Sequence, residues 1–225
     1  MDEQTEETLR GLAERLTPAD FDATLTTVTT AAVELLPHVD YASLTVRHLD
    51  GTVLSYATTD YILVDIDRIQ DELQEGPCYN AITESPHVIS RDLRDDPRFP
   101  RFGQAAVEAG ILSQAGLRLF KTGGAVAALD LYSTQAGAFE DLDRLDRLFA
   151  HQAATALNYA RELDNLHEAL QTRTVIGQAV GIVMERYGLE DQQAFAYLTR
   201  LSSTQHVKLR QLAEEILADR RSTDG

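Results

Sequence analysis

Cysteine is almost absent from this sequence, in which Cys78 is the only one among 225 residues. An intrachain disulfide is therefore excluded, and a reducing cytoplasm is the expected location. Long apolar runs are also missing, since none approaches the ~20 residues needed to cross a bilayer. The acidic segment Met1 to Glu7 lacks the basic start and apolar centre of a secretory signal. We therefore expect a cytoplasmic protein without a membrane partner.

The motifs of common catalytic and metal sites are missing as well. The sequence has no phosphate-binding glycine-rich loop, no HExxH helix and no GxSxG turn. Its six histidines form no zinc-binding pattern. Lys121-Thr-Gly-Gly124 resembles one box of the penicillin-binding serine enzymes, but the partner boxes are absent and a turn is expected there. These observations predict a protein that is not an enzyme and holds no metal or other cofactor.

Two features of the N-terminal half could be mistaken for a metal site and a nucleophilic cysteine. Asp65, Asp67, Asp71 and Glu72 lie close together in the sequence, and a solvated helix face is the expected arrangement. Cys78 follows a proline in a predicted loop and has no evident cationic neighbour that would stabilise a thiolate. We expect a small packed residue there, and a redox-sensing role stays open.

Positive charge is scarce: 20 Lys and Arg residues stand against 36 Asp and Glu residues, which gives a net charge of −16. Such a balance repels a polyanion at long range. The acidity is concentrated in residues 1–160, which hold 12 basic and 26 acidic residues, whereas residues 161–225 hold 8 and 10. Between Arg173 and Arg210 five basic residues outnumber three acidic ones. The C-terminal part therefore permits nucleic-acid binding, which the total charge alone disfavours.

The hydrophobic periodicity of residues 18–157 predicts an α+β fold, with an antiparallel sheet and flanking helices packed to one side. An amphipathic helix is expected over Asp20 to Leu36, and Asp50-Gly51 predicts a hairpin between two strands. Residues 1–17 are expected to form a polar arm. The other predicted helices are 64–73, 79–83 and 102–109, and the predicted strands are 41–48, 52–57, 87–90, 111–120 and 125–132.

A helix without proline is expected from Leu142 to Gly188, ~70 Å long at 1.5 Å per residue. Alternating three- and four-residue steps along it define a heptad seam that is mostly apolar. The seam consists of Leu142, Leu145, Phe149, Gln152, Ala156, Tyr159, Leu163, Leu166, Leu170, Arg173, Gly177, Val180 and Met184. Its first part is expected to fold back onto the sheet. We expect residues 142–166 to form a coiled-coil connection, and the dimer seam of a parallel homodimer to consist of Ala156, Tyr159, Leu163, Leu166 and Leu170.

Three helices with short joints are predicted over residues 163–219, as a small bundle before a tail at 220–225. The second helix is expected to bury one face that includes Phe195 and Leu198. Ser202-Ser203-Thr204 is expected to interrupt the chain, and Thr204 is the predicted N-cap of the third helix.

This C-terminal module resembles an ANTAR domain at positions spread over its whole length. The positions that carry the resemblance are Ala169, Leu170, Arg173, Ile176, Ala179, Gly181, Ile182, Met184, Tyr187, Gly188, Leu189, Ala194, Phe195, Leu198, Ser202, Lys208, Leu209, Arg210 and Ala213. The resemblance implies RNA binding by a dimer, because ANTAR proteins recognise a pair of RNA hairpins with small loops and thereby disfavour a transcription terminator. Two positions depart from many relatives: Val180 stands where they have lysine, and His206 where they have asparagine. If these two positions contact RNA in relatives, this protein is expected either to recognise a different loop or to bind more weakly.

Residues Pro18 to Leu157 are similar to a GAF domain. The sharpest local feature is Asp67-Arg-Ile-Gln-Asp-Glu-Leu-Gln-Glu-Gly-Pro-Cys78, which resembles the segment found in GAF domains that precede ANTAR domains. GAF folds bind many small molecules or none. The resemblance therefore implies a GAF–ANTAR antitermination regulator whose sensor takes an unidentified small-molecule ligand or protein signal.

A surface that binds an RNA hairpin loop needs cations for phosphates, hydrogen-bonding side chains for base edges and an aromatic plane for stacking. The start of the predicted third helix supplies the first two kinds, at a helix N-terminus that itself favours anions. Tyr197 is the candidate for stacking. The predicted RNA contacts are Arg173, Arg186, Tyr197, Arg200, Thr204, Gln205, His206, Lys208 and Arg210.

Alternatives stay open for several of these residues and for the function. Arg173 lies on the seam and has Glu168 and Asp164 available as ion-pair partners, and Tyr197 is as well suited to packing as to stacking. A DNA-binding regulator with the same sensor also fits the sequence, as does a protein-interaction module without nucleic acid, because charge does not separate these functions.

Overall fold

The structure is a computed structural model that describes residues 20–36, 38–122, 125–139 and 144–223, together with Arg10, Gly11 and Glu14. The rest of the predicted polar arm, the second half of the predicted 121–124 turn and the seam residue Leu142 lie outside the described residues. The chain divides into two compact units, Met1–Arg161 and Glu162–Gly225.

The first unit alternates helices and strands in the predicted order. Its elements are α1 (Phe21–Leu35), β1 (Tyr41–Arg47), β2 (Val53–Tyr56), α2 (Ile62–Leu73), α3 (Pro77–Thr83), β3 (His87–Ser90), α4 (Pro100–Glu108), β4 (Ser113–Thr122), β5 (Ala125–Ser133) and the beginning of α5 (Arg144–Tyr187). Helix α1 begins where Asp20 Oδ1 accepts a hydrogen bond of 2.8 Å from Ala23 N, a side-chain N-cap.

The five strands form one antiparallel sheet in the order β2-β1-β5-β4-β3. The predicted hairpin joins β1 and β2, and Gly51 in its turn has a φ of 87°, which glycine adopts without strain. Strand β5 occupies the centre, and its residues 127–132 are buried on both faces.

Helices cover both faces of the sheet, so the prediction that they pack to one side is wrong. One face carries α1 and the beginning of α5, whose Phe149 and Leu157 pack with Leu129 of β5. The opposite face carries α2, α3 and α4, which pack around Ala128 and Tyr132 of the same strand. An alternating strand in the centre of a sheet buries both sets of side chains only when each face is covered.

Helix α3 begins at Pro77, two residues before the predicted start at Tyr79. Cys78 therefore lies in the first turn of a helix, and its assignment to a loop is wrong. Proline is favoured at the first helical position, because its missing N–H has no partner there in any case.

The second unit consists of the remainder of α5, followed by α6 (Asp191–Gln205) and α7 (Leu209–Thr223). The predicted tail at 220–225 therefore begins inside a helix. A small core joins the three helices, and its fully buried side chains are Ala179, Val180, Val183, Ala194, Leu198, Leu212 and Ala213. Phe195, predicted to be buried with Leu198, is instead 47% exposed.

Candidate RNA interface and sensor core

The joint between α6 and α7 lies later in the chain than predicted. Thr204 is within α6, where its Oγ1 donates a hydrogen bond of 2.9 Å to Arg200 O, and so it is not an N-cap. The helix ends at His206, which has a φ of 56°. Val207 N then donates to Ser202 O at 3.2 Å, which closes a Schellman-type end.

The observed position of this joint places two of the predicted RNA contacts, Thr204 and Gln205, at the opposite end of a helix from the one expected. Thr204 and Gln205 lie at the C-terminal end of α6, where the helix dipole is negative. The prediction that they lie at an anion-binding helix N-terminus is wrong. Lys208 directly precedes α7, and its carbonyl oxygen accepts from Leu212 N at 3.1 Å.

An aromatic pair lies on the surface of the second unit. The rings of Tyr187, at the end of α5, and Tyr197, in α6, have centroids 5.4 Å apart and planes inclined at 42°. They are 54% and 38% exposed. Tyr197 is among the residues predicted to contact RNA, whereas Tyr187 is not, although it precedes the helix-ending Gly188 and is one of the positions that resemble an ANTAR domain.

Polar residues continue this surface along α6. Tyr197, Arg200 and Thr204 follow at spacings of three and four residues, which places them on one side of the helix. All three are exposed. An aromatic pair, a guanidinium and a hydroxyl therefore occupy neighbouring positions on one surface.

Four of the predicted cations are available for binding. Arg173, Arg186, Arg200 and Lys208 are exposed, and within the part of the chain that the structure describes their side chains form no ion pair or hydrogen bond. Arg173 in particular is not paired with Glu168, one of the two partners that the sequence offered, because Glu168 binds Arg210.

Arg210 has a different setting. Its Nη1 donates to Glu168 Oε1 at 3.1 Å and to Thr172 Oγ1 at 3.3 Å, and its Nε donates to Glu214 Oε1 at 2.9 Å. These contacts join α7 to α5, so the side chain has a structural role in the bundle. Its part in RNA binding stays a prediction.

The predicted dimer seam is largely uncovered. Leu166 and Leu170 are 58% and 61% exposed, and Tyr159 is also exposed, whereas Ala156 and Leu163 are half-buried. Nearer the ends of α5, Phe149 packs onto the sheet and Val180 lies in the core of the second unit.

A buried polar network lies in the first unit, between the sheet and helices α2 and α3. Asp130 of β5 is fully buried and accepts hydrogen bonds from Thr45 Oγ1 at 2.8 Å and Cys78 Sγ at 3.0 Å. Asp67 of α2 accepts a hydrogen bond from the hydroxyl of Tyr132. All the donors to these two carboxyl groups are neutral.

Gln70 joins the two halves of this network. Its Oε1 accepts from Cys78 N at 3.1 Å, and its Nε2 donates to Tyr132 OH at 3.5 Å. Gly76 makes room for it, because a Cβ there would lie 2.3 Å from Gln70 Oε1. The φ of 135° at Gly76 is likewise one that side chains disfavour.

The prediction that the acidic residues of α2 form one solvated face is wrong for Asp67, which is 6% exposed and lies on the same side as Gln70. Asp65 and Glu72 do lie in solvent, where they bind Arg68 at 3.1 and 2.6 Å.

Burial raises the pKa of Asp130 well above the ordinary 3.8, and the nearby Asp67 adds to the rise. Burial also raises the pKa of Asp67, although the Tyr132 hydroxyl opposes the change. The pKa of the Cys78 thiol is raised by burial and by Asp130. A thiol held neutral is a poor nucleophile, so the geometry does not favour catalysis by Cys78.

Two family models match the chain. The GAF domain model matches residues 18–158, and the ANTAR domain model matches residues 164–217. The chain is a GAF–ANTAR protein. ANTAR domains form an RNA-binding antitermination family, and both domain types are typically regulatory rather than catalytic.

Solved structures share the fold at low sequence identity. The GAF domain of a phosphoenolpyruvate-protein phosphotransferase from Coxiella burnetii has a TM-score of 0.54 and 17% identity, over 72% of this chain and 97% of that one. SdiA of Escherichia coli has a TM-score of 0.53 and 15% identity, over 92% and 94% of the two chains. Free methionine-R-sulfoxide reductase from Neisseria meningitidis has a TM-score of 0.50 and 16% identity, over 72% and 95%. Among curated proteins, none matches the chain significantly.

Both departures from other ANTAR domains have a structural explanation. Val180 is 5% exposed and belongs to the core of the ANTAR unit, so an apolar side chain suits this position. His206 occupies the left-handed position that ends α6, where asparagine is among the few residues that fit readily.

Within the described part of the GAF–ANTAR chain, no helix is both long and apolar enough to cross a membrane. Among the same residues, no three His, Cys, Asp or Glu side chains gather as metal ligands.

Proposed function

We propose that this GAF–ANTAR protein is a cytoplasmic homodimeric regulator that binds a pair of RNA hairpins and so permits transcription past a terminator. The observation that carries the proposal is the exposed pair of Tyr187 and Tyr197 beside Arg200 in the ANTAR unit. Unstacked loop bases offer π-faces to such rings, and phosphates offer anionic partners to a guanidinium.

The cations support a surface larger than this pair. Arg186 adjoins Tyr187 in the sequence, and Lys208 follows the end of α6. Gln205 and His206 are exposed in the same joint and present hydrogen-bonding groups. Arg173 lies 14 residues before Tyr187, about 21 Å along the axis of α5, and would meet a more distant phosphate.

Dimerisation is proposed from the uncovered seam. Leu166 and Leu170 expose more than half of their side chains on a helix that has no loop between Arg144 and Tyr187. The same apolar stripe in a second chain would cover them. A dimer also presents two ANTAR units, which matches a pair of hairpins.

Control by the GAF unit is proposed through helix α5, which supplies core residues to both units. A small molecule or a protein signal at the GAF unit would change dimerisation or the register of the seam.

The proposal is tested by crosslinking RNA to the protein in cells and sequencing it, followed by binding assays with the recovered hairpins. Tyr197→Ala should weaken binding by about 1–3 kcal/mol, the usual value of one base–aromatic stack. Phe195→Ala is the matched control, because Phe195 is an exposed aromatic on the same helix that has no part in the tyrosine pair. The control should bind like the unchanged protein.

Two results would contradict the proposal. A clear preference for duplex DNA over hairpin RNA in competition would favour a DNA-binding regulator. Absence of any nucleic-acid binding by the folded dimer would favour a protein-interaction module.

A further inference from the structure

A cavity of about 300 Å³ lies in the GAF unit between β2 and α2. Val53, Leu54 and Val64 give it apolar walls, and Asp67, Arg68 and Asp71 also line it. Its volume is at the lower end of the range for small-molecule sites. Asp67 is the most deeply buried of these charged groups, at 6% exposure.

The carboxyl group of Asp67 is only half satisfied. Its Oδ1 accepts from Tyr132, while its Oδ2 has no hydrogen-bond partner within 3.5 Å in the described part of the chain. The hydroxyls of Ser43 and Ser55 lie near enough to lower the pKa of this carboxyl group, but less than burial raises it. A buried acceptor without a donor is costly, and such groups usually mark a place that a ligand or water completes.

Among the described residues, the hydrogen-bond network behind Asp67 contains no positively charged group. Asp130 also has one unpartnered oxygen, and the donors to both carboxyl groups are hydroxyls and a thiol. A buried carboxylate is stable only when a cation or several strong donors compensate it. A positively charged donor in the cavity would compensate the Asp67 carboxyl group in its ionised form.

Arg68, the one cation that lines the cavity among the described residues, does not supply this charge. The Arg68 guanidinium donates to Glu72 Oε1 at 2.6 Å and to Asp65 Oδ1 at 3.1 Å, on the exposed side of α2. It is equally unavailable to an anionic ligand, and Asp67 and Asp71 would repel one.

We infer that the GAF unit binds a small organic cation, a primary amine or amidine with a compact apolar body, in this cavity, with Asp67 as its counter-ion. The ammonium or amidinium N–H donates to Asp67 Oδ2, and the apolar body packs against Val53, Leu54 and Val64. This inference rests on the proposed role of the GAF unit as a small-molecule sensor and names the chemical class of its ligand.

The test measures binding of benzylamine and benzamidine to the full-length protein by calorimetry and ligand-detected NMR. Benzyl alcohol is the neutral counterpart of benzylamine. The amine and the amidine should bind at millimolar concentration or below and raise the melting temperature, and the alcohol should bind at least tenfold more weakly. Equal binding of the alcohol, or no binding of either cation at millimolar concentration, overturns the inference.

Variants assign the binding to the cavity. Asp67→Asn keeps the shape of the side chain and should weaken amine binding at least tenfold, whereas Asp71→Asn, one turn further along α2, should change it much less. Val64→Trp fills the cavity from its exposed rim and should abolish binding even if Asp67→Asn fails to fold. Retained amine binding in Asp67→Asn or in Val64→Trp overturns the inference, and so does an equal loss in Asp71→Asn.

Hairpin binding measured with and without benzylamine keeps the two proposals separate. Amine binding that leaves RNA affinity unchanged upholds the cation site and contradicts its coupling to the ANTAR unit. RNA binding by a protein that does not bind amines upholds the proposed function and contradicts the cation site.

Discussion

At the scale of single residues, His206 is a position whose residue type depends on backbone conformation. The family resemblance alone would relate this position to RNA recognition. Its φ of 56° places it in the left-handed region at the end of α6. A residue with a Cβ is strained there, whereas glycine is not. The asparagine of many relatives suits the same conformation.

We expect His206→Gly to stabilise the ANTAR unit by about 0.5–1 kcal/mol, because the strain of the left-handed residue is removed. Thermal unfolding followed by circular dichroism measures this. The control is Gln205→Gly, at the preceding helical position, which should destabilise by about 1 kcal/mol. A loss of stability in His206→Gly would show that the histidine side chain makes a contact that outweighs the strain.

Asp130 gives the GAF unit a pH dependence whose sign follows from its environment. Burial raises its pKa in the folded protein above the ordinary 3.8, so the folded state binds more protons than the unfolded state from about pH 4 upward. The free energy of unfolding of the GAF unit should therefore fall as the pH rises from about 4 towards the raised pKa of Asp130. Asp130→Asn cannot ionise and should remove that part of the fall, as measured by denaturant unfolding from pH 4 to pH 8.

Asp92 is the matched control with the opposite sign. Its hydrogen bonds with Arg94 lower its pKa, so its contribution is present at neutral pH and is lost on acidification. Asp92→Asn should therefore reduce the change in stability at acid pH. An Asp130→Asn variant with an unaltered pH profile would contradict the assignment of the buried network as the titrating site.

At the scale of helices and strands, the order of the elements was predictable because periodicity and turn residues determine it locally. The hairpin at Asp50-Gly51 and the end of α5 at Gly188 are confirmed. The coverage of both sheet faces was not predictable, because it depends on which helices pack against which side of β5.

The continuation of α6 through Ser202-Ser203-Thr204 was missed for a physical reason. These residue types favour caps and turns when their side chains bind nearby backbone groups outside a helix. Here Thr204 Oγ1 binds the carbonyl of Arg200 one turn back, and Ser202 Oγ donates to Val207 O at 2.6 Å. Both hydroxyls are therefore satisfied while the backbone of Ser202 and Thr204 stays helical, the first by a residue beyond the end of α6 and the second by a residue within it.

The candidate sites show the same division. Exposed cations such as Lys208 were predictable from charge alone. The burial of Asp67 could have been predicted only from its position four residues after Leu63 and three before Gln70, on the same buried face of α2. Tyr187 could be paired with Tyr197 only once α5 and α6 were packed together.

The seam of α5 is open to a direct test. Leu166→Glu combined with Leu170→Glu places like charges in the apolar stripe, and we expect a monomer where the unchanged protein is a dimer. Sedimentation at micromolar concentration measures this. Asn165→Glu is the control, because Asn165 is exposed and points away from the stripe by helical periodicity. A monomeric unchanged protein, or a dimeric double variant, would contradict the seam.

At the scale of the whole molecule, the acidic net charge is compatible with the proposed RNA partner because charge is divided unevenly along the chain. Residues 1–160 carry −14 of the net −16. The exposed cations of the ANTAR unit would contact a polyanion at short range, where local charge outweighs the net charge of the chain.

A dimer with two ANTAR units should bind an RNA with two hairpins more tightly than one with a single hairpin. Linked sites gain up to 10²–10⁴ in avidity when both are engaged, and we expect at least a tenfold difference in electrophoretic or fluorescence binding assays. The difference should vanish in the Leu166→Glu, Leu170→Glu variant while single-hairpin affinity is kept. Equal affinity of the unchanged protein for the two RNAs would mean that one hairpin suffices.

The boundary between the two units, at Arg161 and Glu162, falls inside helix α5. Domain boundaries usually fall in exposed linkers, which proteases cut and which tolerate the insertion or exchange of a domain. A cut or an insertion at residue 161 would instead interrupt a run of helical hydrogen bonds. A hybrid that joins this GAF unit to another output module would therefore have to be joined within a helix, with the helical register kept, rather than at a loop.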